Sequence, residues 1–138
     1  MSTLPSGLPV VVGDTESLAR IVIFSKWVAG STGRIKYPAF LPAPDHETSV
    51  FRRAAITGER LWELGAEAAE RGTLYGAAVA QTGVVRRAGL DALASEPPPH
   101  HANMTGWPVF ADDPELQKAR RKEIATEIAE EAWYLPCK

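Results

Sequence analysis

His100, His101 and Asn103 stand together in the segment Ser95–Pro114, SEPPPHHANMTGWPVFADDP, and they are the residues of this chain best suited to moving a proton. An imidazole titrates nearer neutrality than any other unperturbed side chain, so His100 or His101 can act as acid or base without elaborate tuning. Asn103 can orient an imidazole or donate a hydrogen bond to a developing oxyanion. The preceding Pro97–Pro99 run is extended and stiff, and would hold the pair at a fixed place relative to the element before it.

A second group suits anions. Arg52, Arg53, Arg20 and Arg34 supply planar, multi-donor guanidinium groups, with Lys26 and Lys36 as point charges. Ser49, Phe51 and Arg53 alternate along one strand face, with Val50 and Arg52 on the other. If the histidine segment packs over that strand, Arg52 stabilises negative charge, His101 shuttles a proton and Trp107 offers a ring on which a base can stack.

The expectation is a phosphate-rich ligand, nucleotide or nucleic acid, held by Arg52, Arg53, Ser49, Arg20, Lys36 and Trp107 beneath a His100–Asn103 loop. Hydrolytic or transfer chemistry is the reaction class those residues suit. The competing expectation is a non-catalytic accessory subunit that binds a larger protein through Trp107, Phe110 and the charged C-terminal helix. The same residues also have bland uses, since loop histidines often cap carbonyls and strand-end arginines often sit in water.

Other chemistries lack their residues. His100, His101 and His46 with Asp45 or Glu47 could supply nitrogen and oxygen to zinc, but adjacent histidines diverge, and no HExxH, HxH or CxxC occurs. No metal and no cofactor is therefore expected. There is no GxGxxG, GxxxxGK[ST], GxSxG or EF-hand loop. Cys137 is the single cysteine, which excludes an intramolecular disulfide and a thiolate cage.

Charge narrows the partners. The 138 residues carry a formal charge of -2, too small to drive association with nucleic acid or membrane by itself. Residues 18–60 hold 7 Lys/Arg against 3 Asp/Glu, a local +4, and residues 61–138 hold 8 against 12, a local -4. Lys118, Arg120, Arg121 and Lys122 occupy the N-terminal half of the last helix and Glu127, Glu130 and Glu131 its end, which opposes the helix dipole. Few opposite charges stand at the i,i+4 spacing that would make the pattern self-stabilising, which leaves room for phosphates or an acidic protein surface. No basic, apolar leader and no run of about 20 apolar residues occurs, so a cytoplasmic location without membrane contact is the default.

The elements that must position these groups are those of one α+β domain, with residues 1–17 as a loose arm. Leu18–Lys26 is apolar on both faces and reads as a central strand. Arg34–Leu41 reads as an edge strand, because Pro38 lacks the donor a central one needs. Thr48–Ala54 is the arginine-bearing strand. Thr57 caps a helix over Gly58–Arg71, with Gly72 closing it. Thr73–Gln81 reads as a strand, Thr82–Ala88 as a short helix and Leu90–Leu93 as the final strand. Ser95–Pro114 is left as a long functional loop, and Asp113-Pro114 opens a last helix over 114–132. The order suits a small mixed or mostly antiparallel sheet flanked by two main helices.

The segments IKYPAFLP, ETSVFRR, ERLWELG and HHANMTGWP, followed by the helix ELQKARRKEIATEIA, resemble a family of small uncharacterised bacterial single-domain proteins over about residues 18–132. The resemblance implies a bacterial single-domain protein and carries no activity.

Overall fold

A computed structural model describes residues 3–54, 56–70 and 72–137. Its centre is a six-stranded antiparallel sheet ordered β4-β5-β2-β1-β3-β6. The strands are β1 (Ser17–Val22), β2 (Thr48–Arg52), β3 (Gly76–Gln81), β4 (Asp91–Ala94), β5 (His101–Thr105) and β6 (Trp133–Pro136). Three helices accompany them, α1 (Gly58–Ala69), α2 (Thr82–Arg87) and α3 (Pro114–Glu130). This is the expected α+β class.

Strand β1 is central because both of its faces are apolar. Leu18 and Val22 point to one side, and Ala19 and Ile21 to the other, all of them buried. The first side is the larger core. There Val50, Ala78, Ala80, Ala102 and Met104 of the sheet meet Phe40, Trp107 and the α3 stripe Ala125, Ile128 and Ala129. On the second side Phe51, Ala77 and Val79 meet Leu61 and Leu64 of α1. Gly65 lets α1 approach closely, since a Cβ there would lie 3.0 Å from Ile21 Cδ1 and 3.3 Å from Leu74 Cδ1.

The helix starts follow their caps. Thr57 Oγ1 accepts from the Arg60 amide at 3.0 Å, and Asp113 Oδ1 accepts from the Leu116 amide at 3.0 Å with Pro114 in the first turn. Helix α1 ends at Ala69, where Glu70 turns left-handed with φ 53°, and the expected terminus at Arg71 lies outside the described residues.

Three expectations are corrected. Residues 34–41 form no strand: Tyr37–Phe40 is a 3₁₀ turn with Pro38 at its start, which tucks Ala39 and Phe40 wholly into the core. The segment Ser95–Pro114 is not one long loop, because His101–Thr105 is β5, paired to β2 and β4. The described part of the N-terminal arm is not loose. Leu8 and Val12 are buried, Ser6 donates to Glu96, and the carbonyls of Pro9 and Val11 accept from Arg52. Strand β6, which pairs with β3 at the sheet edge, was not anticipated.

Candidate functional site

Arg52, the last residue of β2, and Arg53 just beyond it turn to opposite faces of the sheet. Arg52 is fully buried on the α3 side of the sheet. Its Nε and Nη2 donate to the two carboxylate oxygens of Glu16 at 2.8 Å each, and its Nη1 donates to Pro9 O at 2.7 Å. Burial would raise the Glu16 carboxyl, but hydrogen bonds from Arg52 and the Gly13 amide, with the charges of Arg52 and Arg86, hold it below the usual carboxylate range. Arg52 is thus a structural clamp on the arm and has no surface to offer a ligand.

Arg20 is likewise committed, donating to Ala39 O at 2.9 Å and Ser49 O at 3.2 Å while stacking over Trp27. Trp107 is buried in the main core and cannot stack on a base. Lys36 is exposed, beside a hollow of about 370 Å³ between residues 34–38 and the end of α3.

The opposite face collects the remaining expected residues. Cross-strand register pairs Ser49 with Asn103 and Phe51 with His101. His101 Nδ1 lies 2.9 Å from Ser95 O, an acceptor, so it carries the proton there, and the ring meets Phe51 edge-on at 5.6 Å. His100 is left-handed with φ 68°, its amide donates to Glu96 and its Nδ1 is buried without a partner. Ser49, Asn103 and the half-exposed Leu93 form an open strip across three strands. Arg53 shares this face and lines a recess with Val79 of β3 and Trp133 and Leu135 of β6, while the amide of its neighbour Arg52 donates to His100 O at 2.7 Å.

A concave site occurs instead where the 3₁₀ turn meets α3. A cleft of about 290 Å³ is walled by Tyr37, Leu41 and Pro42 on one side and by Pro114, Gln117, Lys118, Arg121 and Lys122 on the other. Three cations converge there, and among the described residues no carboxylate lines the cleft. Among the described residues Lys118, Arg121 and Lys122 have no acidic partner within 4.0 Å, whereas Arg120 pairs with Glu123 at 3.9 Å.

Two of these cations are positioned by neighbours. Arg121 donates from Nε to Pro108 O and from Nη2 to His46 Nδ1, both at 2.9 Å, and Lys122 Nζ lies 5.1 Å from the Tyr37 ring centre. Because an arginine only donates, His46 Nδ1 must be the bare nitrogen in this geometry. The signal for this cleft was the basic cluster set against the α3 dipole; its apolar wall was hidden, because residues 34–41 read as a strand.

Among the described residues, no group of three or more His, Cys, Asp and Glu side chains could hold a metal ion. No helix among them is long and apolar enough to cross a membrane. Comparison of the chain with protein-family models, curated proteins and solved structures gives no match.

Proposed function

We propose that this chain binds a phosphate-bearing ligand, of the nucleotide or oligonucleotide class, in the cleft between the 3₁₀ turn and α3. The ligand class is the one the sequence suggested; the place differs. The observation that carries it is the convergence of Lys118, Arg121 and Lys122, without an acidic partner, on a cleft with an aromatic and aliphatic wall. Lys118, Arg121 and Lys122 stand one turn apart on α3, beyond its first turn, and an anion seated among them relieves their mutual repulsion. Arg121 supplies a planar fork already oriented by Pro108 and His46, the lysines supply point charges, and Tyr37 with Leu41 gives an apolar body a surface.

The cleft offers no carboxylate as a general base, so binding rather than turnover is the function assigned to it. His100, His101 and Asn103 belong to β5 and its approach, and no role in this cleft is given to them.

The test is calorimetric titration of pyrophosphate, mononucleotides and short oligonucleotides, at two salt concentrations, into the wild-type chain and the Lys118→Ala/Lys122→Ala double variant. Binding should weaken about tenfold or more in the variant, and should weaken with salt in the wild type. Absence of binding by any phosphate ligand, or binding indifferent to the double substitution, would sink the proposal.

A second reading is favoured by one observation. Val109, Phe110 and Leu116 are exposed beside the cleft, at 49%, 37% and 41%, as suits an accessory subunit docking an acidic protein. Trp107 drops out of that surface because it is buried. Failure of every phosphate ligand would turn attention to that reading.

A further inference from the structure

On the other face of the sheet, at the end of β2, a recess of about 280 Å³ is lined by Ser17, Arg53, Val79, Trp133 and Leu135. The α3 cleft touches none of these residues. We propose that this recess is a separate binding site for a small organic carboxylate with a flat or branched apolar body.

The charge argument comes first. The Arg53 amide donates to Ser17 O at 2.9 Å, which pins the residue against β1. Its Nη1 is buried and has no hydrogen-bond partner, and no acidic side chain among the described residues lies within 4.0 Å of its guanidinium. Arg53 is half-buried, and its one buried nitrogen, Nη1, has given up hydration without a hydrogen bond in return. One strand position away, Arg52 meets the same demand with Glu16 and two backbone carbonyls. Among the described residues Arg53 Nη1 has no such answer, and a carboxylate fits the planar fork.

The walls set the rest of the ligand. Val79 is buried and faces Trp133 across the β3–β6 pairing, and Leu135 follows on the same face of β6. Trp133 is 46% exposed, a large ring left half in water on an edge strand. An apolar body placed against it would remove area from water on both partners. The recess lies near the lower end of ordinary ligand cavities, roughly 300–1,000 Å³, and it presents a single cation where the α3 cleft presents three, which suits a ligand of one negative charge.

The experiment is a heteronuclear NMR titration of the ¹⁵N-labelled full chain with phenylacetate, following the Trp133 indole N–H and the Arg53 Nε–H, with inorganic phosphate in parallel. Saturable shifts of both signals are expected, with a dissociation constant of about 0.1–1 mM for so small a ligand. Arg53→Gln should abolish the Trp133 shift, and Trp133→Ala, whose readout is Arg53 itself, should weaken binding about tenfold. Binding should be unchanged in Lys118→Ala/Lys122→Ala, which separates this site from the α3 cleft. Inorganic phosphate producing the same shifts at the same concentration would make the recess an unselective anion site and overturn the proposal. No saturable shift up to about 10 mM phenylacetate would overturn it too.

Discussion

Replacing Arg52 with alanine should unfold the molecule from its N-terminal arm inward. The guanidinium is fully buried, and it makes two 2.8 Å bonds to Glu16, one of 2.7 Å to Pro9 O and one of 3.3 Å to Val11 O. Removing one member of a buried pair typically costs about 3–5 kcal/mol, because the remaining charge stays in a poor solvent. Glu16 is only partly buried, with 15% of its side chain exposed, so it recovers some hydration and the lower half of that range is the better estimate. The stranded carbonyls of Pro9 and Val11 reach water if the arm peels away, which caps the loss but withdraws Leu8 and Val12 from the core. A loss of about 3–4 kcal/mol is a large share of the roughly 7–20 kcal/mol expected for a chain of this length, and should lower Tm by about 10–20 °C.

The assay is urea and thermal unfolding followed by circular dichroism, with hydrogen exchange to locate the opening. Amides of residues 6–16 should lose protection before those of β1. A double-mutant cycle with Glu16→Ala should give a coupling of about 1–3 kcal/mol. A stable Arg52→Ala protein, losing under about 1 kcal/mol, would refute the clamp. Additivity of the two substitutions would refute the pairing as its cause.

The same pair gives a pH dependence. The folded Glu16 carboxyl is held below the ordinary glutamate value of 4.5, so the pair contributes fully above that value, and its contribution is lost as pH falls through the lower folded value. Melting temperature should drop on acidification below about pH 4.5, and Glu16→Gln should flatten that limb; an unchanged acid limb would contradict the account. Gly76→Ala should prise β6 from β3, because a Cβ there would overlap Leu135 O and sit 2.9 Å from Pro136 Cα, both backbone atoms of the neighbouring strand. Its cost should reach about 2–3 kcal/mol in urea unfolding, and a neutral result would mean that β6 does not pair as described.

Local signals carried the parts of the fold that are locally determined. The doubly apolar run at 18–24 marked β1 as central, Thr57 marked the start of α1, and Asp113-Pro114 marked that of α3. Strand β5 escaped because HANMT is polar, and it follows three prolines; it is a strand because β2 and β4 flank it, a relation no window of sequence contains. The arginines misled for a related reason. A charged side chain reads as exposed until its partner is known, and the partner of Arg52 lies 36 residues upstream in a segment that looked structureless. The cations of α3 were legible as a basic cluster, but Tyr37 and Leu41, which turn that cluster into a cleft, meet it because residues 37–40 form a turn where the sequence reads as a strand.

Arg52 and Arg53 are chemically identical, adjacent, and opposite in use, and the sheet geometry explains why. Side chains alternate across a strand, so a shift of one residue in the pairing of β2 would exchange them. It would turn Arg53 into the arm clamp and Arg52 toward the Trp133 recess. What forbids the shift is that Val50 and Arg52 share the α3 side while Phe51 packs beneath α1, and that Leu18 and Ala19 pair with Arg52 and Phe51. A slipped strand would drive Phe51 into the α3 core, where Val50 sits against Met104 and Ala102. The packing of Phe51 beneath α1 and Val50 against the α3 core thereby fixes the register that keeps Arg53, which has no acidic partner within 4.0 Å among the described residues, on the recess side of the sheet.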